Sequence, residues 1–254
     1  CLVEFDDKGF TRKQTFIGID GNVEYCTLQG GAIITYECNE YGFFSKITFM
    51  DADGKPCATN QGNAYIKIVT DERGNELERW NYNVNNELVA NAEGYAGLKA
   101  EYDSLGHMVK IIFHGEDGEP CELNNGIAGW NREYNAMGDL IKESYFGTDL
   151  QPTLDNNNIC TAVYERDVRG NITKALFYNE EGELTLSGEG IAIIEYKYDD
   201  NGNEVLRQFF DKDNKPTKGY IGFAEKAYTY DDKGHMLSER YYDVKNNLVL
   251  VDGI

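Results

Sequence analysis

The sequence predicts an all-β chain of eight tandem 32-residue β-hairpin repeats that form a coiled or spiralling antiparallel sheet, solenoid-like or shell-like in form. Three observations lead to this fold class. Glycine-containing positions recur at one fixed interval, the segments between them alternate apolar and polar residues, and no stretch keeps a helical period. A single short motif, copied end to end, explains all three.

Three series of turn residues define the repeat. Where glycine is replaced, the substitute is mostly asparagine, which also tolerates a positive φ. Leu150 is the exception, and the sequence predicts a different turn there. The first series is Gly42, Gly74, Gly106, Gly138, Gly170, Gly202, Gly234. The second is Gly54, Asn86, Gly118, Leu150, Gly182, Asn214, Asn246, and the third is Gly30, Gly62, Gly94, Gly126, Asn158, Gly190, Gly222.

Strands are predicted between these turns. The segment from Ala192 to Tyr198 alternates with period two, as a half-buried strand does. Its first residue belongs to a column of Ala or Cys, where a larger side chain would collide with the neighbouring copy. The second strand of each copy ends in what we call the first column: Phe16, Phe49, Asn81, Phe113, Tyr145, Phe177, Phe209 and Tyr241.

Composition excludes several classes of partner. The net charge of −20 opposes binding to nucleic acid and to anionic membrane surfaces. No apolar run approaches the roughly 20 residues of a membrane helix, and no signal peptide is evident. The six cysteines form no close C-x-x-C pair, which argues against a zinc site. We interpret them as small buried hydrophobic residues, and the sequence leaves open whether any of them pair.

The motif resembles the YD-type, Rhs-like repeats of large bacterial proteins. The resemblance is carried by Gly94-Tyr95-Ala96, Tyr102-Asp103, Gly106, Phe113 and the turn Asp117–Pro120, and it recurs through nearly the whole chain. The chain departs from that family by its longer repeat and by Asn, His or Asp after the turn glycine, where the family often has Arg. The resemblance implies β-hairpin repeats and a secreted or bacterial cell-surface location, whereas unpaired cysteines suit a reducing compartment.

The repeats predict one array over residues 1–254. Sixteen strands at about 4.8 Å spacing would extend roughly 75 Å, and open sheets of more than about ten strands tend to coil. We expect this array to be a fragment of a longer one, or to have ends that an unusual closure protects, because the first residues correspond to the middle of a copy and no polar cap is evident.

A second column directly follows the first and contains the candidate binding residues. It comprises Ile17, Met50, Tyr82, His114, Phe146, Tyr178, Phe210 and Tyr242. Adjacent strand residues point to opposite faces, so the two columns cannot share one core. If one face stays open, the second column and Trp80 form an aromatic ladder for sugar rings or proline-rich segments; if the sheet closes, the column is a second core. The candidate ligand-binding residues are Trp80, Tyr82, Phe146, Tyr178, Phe210 and Tyr242.

No catalytic residue, metal site or cofactor is predicted. The acidic turns, such as Asp51–Gly54, lack the oxygen donors of a calcium loop and are typical turn chemistry. His107 and His235 occupy a turn position that is usually Asn. We find no motif for nucleophilic, metal-dependent or nucleotide chemistry.

Three functions therefore remain open at this point. The first is a non-catalytic module that binds protein or carbohydrate at an extended β surface, without nucleic acid or membrane insertion. The second is a purely structural spacer or shell segment of a larger surface or toxin-like protein. The third is an enzyme built in an aberrant copy, for which Asn81, Leu150 and the segment 156–160 are the places to look. The sequence leaves the oligomeric state open.

Overall fold

A computed structural model describes residues 1–250, which form seventeen strands and contain no helix that could span a membrane. The chain divides into two compact units, Cys1–Asn124 and Asn125–Ile254. The first unit contains β1 (Leu2–Phe5), β2 (Thr11–Thr15), β3 (Ile33–Cys38), β4 (Phe44–Met50), β5 (Tyr65–Thr70), β6 (Glu76–Tyr82), β7 (Gly97–Tyr102) and β8 (Met108–His114).

The second unit continues the same pattern of paired strands. It contains β9 (Gly129–Tyr134), β10 (Leu140–Phe146), β11 (Thr161–Arg166), β12 (Ile172–Tyr178), β13 (Ile193–Tyr198), β14 (Glu204–Phe210), β15 (Glu225–Tyr230), β16 (Met236–Tyr242) and β17 (Leu248–Val249). Within each unit every strand pairs antiparallel with the next one in sequence. The predicted fold class, tandem hairpins in an all-β, solenoid-like sheet, is confirmed.

The turns of the first two series share one design, whereas in the third series the Gly30 and Gly222 N–H groups donate to carbonyls four residues back, at Cys26 and Lys218. In the hairpin between β13 and β14, the Gly202 N–H donates to the Asp199 carbonyl at 3.0 Å, and the Asp199 carboxylate accepts from the N–H groups of Asn201 and Asn203. The strand register shifts beside the turn, between Lys197 and Tyr198. These are the features of a type I turn followed by a glycine bulge, which needs a positive φ at the glycine.

The turn at Leu150 corrects one expectation. Leu150 has a φ of 61° and its N–H donates to the Gly147 carbonyl at 3.0 Å, so this turn has the same geometry as its counterparts. The Phe146–Pro152 bridge and the hydrogen bond from the Thr153 N–H to the Tyr145 carbonyl close this turn, and leucine adopts the left-handed region that Asn and Gly occupy elsewhere. The predicted change of turn type is wrong.

The recurring small residue lies immediately before the first strand of a hairpin in seven copies and is buried in all of them. Ala32, Ala64, Ala96, Ala128 and Ala192 are 0% exposed, as expected for a stacked repeat. The cysteines are less buried than the sequence predicted. Only Cys160, in the same column, is buried; Cys1 is exposed and the other four are partly exposed. The prediction of buried cysteines is wrong at those five positions, because all five lie outside the alanine column, in connecting segments or at the ends of strands.

Candidate binding surface

The two columns lie on opposite faces of every hairpin. Phe49 pairs with Ile34 across the β3–β4 hairpin, whereas the next residue, Met50, pairs with Ile33 on the other face. We call the face that carries the first column the core face and the face that carries the second column the ladder face. A hydrophobic cluster of Ile191, Phe209, Phe223 and Tyr241 marks the core face of the second unit.

The candidate ladder residues lie as the alternation predicts, on one face of their hairpins. Trp80 and Tyr82 lie on β6 in the first unit, and Phe146, Tyr178, Phe210 and Tyr242 lie on the second unit. Their exposure falls between the two alternatives stated above. Phe146 is buried and the other five are partly buried. The ladder is therefore neither a fully open row nor a completely closed core.

Two grooves of the same construction lie on the ladder face of the second unit. One has a volume of about 210 Å³ and is lined by Phe146, Pro152 and Thr161 among others. The other has a volume of about 330 Å³ and is lined by the equivalent residues two copies later, Phe210, Pro216 and Glu225. In both, the aromatic residue bridges to the proline across the turn that follows the strand. The repeat therefore makes each groove from an aromatic residue, a proline and the next copy's strand and turn.

On the ladder face of the first unit, the candidate aromatic residues contact neighbouring side chains. The Trp80 and His114 rings lie 5.2 Å apart between centroids, above Gly97. The Lys67 ammonium lies 4.1 Å from the centre of the Tyr82 ring, a cation–π contact. Both contacts involve candidate ladder residues of the first unit, Trp80 and Tyr82.

His114 is the one member of the second column with a polar ring. Its Nδ1 lies 2.9 Å from the Gly118 carbonyl, which requires that nitrogen to donate. Its Nε2 is buried and has no hydrogen-bond partner in the described structure. A buried ring nitrogen without a partner is a destabilising feature.

The core face carries charged residues between its aromatic rings, which the sequence analysis missed. Arg132 lies 3.7 Å from the centre of the Trp130 ring and pairs with Glu143 at 2.6 Å. The Tyr145 hydroxyl donates to the same carboxylate at 2.9 Å. Burial, and next the negative charge of Glu143, raises the pKa of Tyr145 far above its usual value. The sequence does contain a signal for charged pairs of this kind. Glu and Arg recur three residues apart at equivalent positions of two copies, and both pairs, Glu76–Arg79 and Glu204–Arg207, form ion pairs.

The acidic turns use their carboxylates internally. The Asp51 Oδ1 accepts hydrogen bonds from the N–H groups of Asp53 and Lys55. At the same position of other turns, side-chain hydrogen bonds from Asn203 and His235 are the largest effects that lower the pKa of Asp199 and Asp231. Residues 1–250 contain no group of three or more His, Cys, Asp or Glu arranged to hold a metal ion.

Comparisons with known proteins return solved structures alone. No protein-family model matches the chain, and no curated protein matches it. A chain of the Photorhabdus luminescens Tc holotoxin pore is similar at 13% identity, with a TM-score of 0.46, over 99% of this chain and 12% of that chain. A chain of the TcdB2-TccC3-TEV structure is similar at 13% identity, with a TM-score of 0.40, over 97% of this chain and 11% of that chain. This chain therefore spans a small part of their length.

Proposed function

We propose that this chain is a non-catalytic repeat module whose ladder face binds an extended partner. A protein segment is the preferred partner and a glycan is the alternative. The observation that carries the proposal is the pair of grooves at Phe146 and Phe210, which are built from equivalent residues two copies apart. A regular series of equivalent grooves suits a polymer with its own regular repeat.

The spacing of the ladder favours a polyproline II segment. Second-column residues of consecutive copies are two strands apart, which is about 9.6 Å at the usual strand spacing. One turn of a polyproline II helix rises about 9.3 Å. Grooves lined by aromatic residues dock such segments in other proteins, because the extended helix loses little entropy on binding.

The acidic residues that line the grooves indicate the charge of the partner. Glu180 lines the first groove, and Glu225 and Asp243 line the second. The chain as a whole carries a net charge of −20. Electrostatic complementarity therefore favours a segment that carries Lys or Arg between its prolines.

The test is binding of a proline-rich peptide with interspersed lysines, measured by fluorescence polarisation with the full chain. Phe210→Ala and Tyr178→Ala are expected to weaken binding about tenfold each, since each removes an aromatic contact. Tyr220→Ala is the matched control, because Tyr220 is 84% exposed and lies in a turn outside both grooves. A glycan array run in parallel tests the alternative partner. If neither probe binds, or if both ladder variants bind as the parent does, the binding proposal fails.

A structural role is the second candidate. The burial of Phe146 and His114 favours it, because a closing ladder face is what a shell or spacer segment needs. In that case no ligand binds, and the ladder substitutions lower the stability alone. For either role, the sequence resemblance to YD-type repeats supports a location at the bacterial surface or outside the cell.

The described geometry offers little support for catalysis in an aberrant copy. Leu150 and Cys160, both off-pattern residues, line the same groove of about 210 Å³. Burial raises the pKa of the Cys160 thiol, which lowers the fraction of reactive thiolate. The Cys160 thiol instead donates to the Tyr145 carbonyl at 3.7 Å.

A further inference from the structure

A cavity on the first unit lies on the core face, opposite the ladder. It has a volume of about 380 Å³, at the low end of the range for small-molecule sites, which is about 300–1,000 Å³. Four of its eleven lining residues carry amide side chains, and the others include an aromatic ring, two aliphatic side chains and one charged residue. The relevant residues are Gln29, Asn60, Gln61, Asn63, Phe49 and Arg79.

The cavity exists because two copies lack a packing residue that other copies have. The residue before the recurring Ala or Cys is Tyr95, Ile127, Ile159, Ile191 or Phe223 in five copies. Tyr95 packs on Phe113 at 5.0 Å, and Phe223 packs on Tyr241 at 4.7 Å, so each covers the first-column ring of its own copy. The equivalent residues in the first two copies are Gly31 and Asn63.

Phe49 lacks a packing side chain both from its own copy and from the next copy. Gly31, which precedes Phe49 as Tyr95 precedes Phe113, has no side chain to cover the Phe49 ring. Asn63 follows Phe49 as Phe223 follows Phe209, where the two rings are 5.8 Å apart. Phe49 therefore lines an open cavity where the equivalent ring in the second unit is enclosed.

Polar residues have replaced an apolar pair at this place. Asn63 is 6% exposed, and Asn81, at the position that contacts the packing residue in other copies, is 5% exposed. The Thr59 hydroxyl bonds to the Asn63 Oδ1 at 2.5 Å. Burying an amide in a core position costs stability that an isoleucine would not. Such local departures from a repeat's own packing are expected at functional sites.

The lining selects a ligand rich in hydroxyl groups. Each amide offers both donors and acceptors, which suits hydroxyl groups that also do both. The Arg79 guanidinium is held by Glu76 through two hydrogen bonds of 2.7 and 2.8 Å, so its charge is compensated. The net charge of −20 opposes an anionic ligand. The Phe49 ring supplies an apolar surface for the C–H face of a ring.

We propose that this cavity is a binding site for one or two neutral sugar rings, which contact Phe49 and bond to Asn63 and Gln61. The site is separate from the ladder, on the other face of the hairpins, and involves a free or terminal sugar rather than an extended segment. It does not depend on the proposed function.

The test is saturation-transfer NMR and calorimetry on the full chain with methyl glycosides of glucose, galactose, mannose and N-acetylglucosamine. Binding of at least one is expected. Asn63→Ile removes the amide and fills the cavity with the residue found in three other copies, and Gln61→Ala removes an exposed amide. Each is expected to weaken the affinity about tenfold, the effect of a lost hydrogen bond of about 1.4 kcal/mol.

A matched control separates the loss of this site from a general effect of substitution. Asn125→Ala alters the same turn position of another copy, lies outside this cavity and outside both ladder grooves, and is expected to leave sugar binding unchanged. Circular dichroism and thermal unfolding test whether Asn63→Ile folds. If it does not fold, the sugar affinity of the Gln61→Ala variant tests the proposal, because Gln61 is exposed and its replacement leaves the core intact. The proposal is overturned if none of the four glycosides binds, if Gln61→Ala binds them unchanged, or if methyl glucuronide binds more tightly than the neutral sugars.

Discussion

The Trp80 indole lies directly over Gly97, so close that a Cβ atom on residue 97 would overlap the ring. The two residues are register partners on β6 and β7, and Gly97 pairs with His114 on its other side. The absent side chain thus lets the Trp80 and His114 rings meet across β7. Several other copies carry a side chain there, such as Ile33 and Ile193, and a smaller residue in place of the tryptophan.

This pair predicts a strong coupling between positions 80 and 97. Gly97→Ile is expected to lower the free energy of unfolding by about 1–3 kcal/mol, since it forces the indole out of its place. In a Trp80→Leu background, which copies the residue at Leu176, the same change is expected to cost much less. Urea unfolding of the four proteins gives the coupling. Equal costs in both backgrounds would mean that the indole does not occupy the space over Gly97.

The left-handed conformation of Leu150 leads us to expect that a better turn residue at this position stabilises the protein. Leu150→Asn is expected to raise the free energy of unfolding by about 1 kcal/mol, because leucine is strained at a φ of 61°. The reciprocal change, Asn86→Leu, is expected to lower it by a similar amount, since Asn86 has a φ of 62° in the equivalent turn. Chemical unfolding measures both. A stabilising effect of Asn86→Leu would contradict this account of the turns.

His114 predicts a second stabilising change. His114→Phe copies Phe146 and Phe210 in the same column and removes the buried Nε2 that has no partner. The expected gain in the free energy of unfolding is about 1 kcal/mol, because the cost of the unpaired nitrogen exceeds the value of the bond to the Gly118 carbonyl. His114→Ala is the comparison, and it is expected to destabilise by leaving a void. A loss of stability in His114→Phe would indicate that Nε2 is paired in solution.

The turn aspartates predict sensitivity to acid. Hydrogen bonds from Asn203 hold the pKa of Asp199 below its usual value, and similar bonds act on Asp71, Asp167 and Asp231. A carboxyl with a lowered folded-state pKa contributes stability above its unfolded pKa of about 3.9 and loses it as the pH falls through the folded value. Stability is therefore expected to fall from about pH 4 downward.

Asn replaces Asp at this turn position in two copies, Asn39 and Asn135, which supplies the test. Asp199→Asn keeps the side-chain oxygen that accepts the turn N–H groups but does not titrate. Urea unfolding between pH 7 and pH 2.5 is expected to show a shallower acid loss in this variant. The explanation fails if its pH profile matches that of the parent protein.

Local features of the fold were predictable from particular residues. Gly202 and its counterparts require a positive φ, and the alternation from Ala192 to Tyr198 has the period of a strand; both depend on neighbours within a few positions. The separation of Phe209 and Phe210 onto opposite faces follows for the same reason. The strain at Leu150 was not predictable in this way, because the bridge between Phe146 and Pro152 that closes the turn overrides the preference of the residue itself.

The repeat period, the three turns and the division of the two columns between two faces were determined by the sequence alone, because a turn or a strand is selected by adjacent side chains. Only the tertiary structure decided how deeply Phe146 is buried, that Trp80 and His114 meet above Gly97, and that Gly31 and Asn63 leave a cavity beside Phe49. Those outcomes depend on residues of different strands and different copies, whose contact is set by how one copy packs on the next.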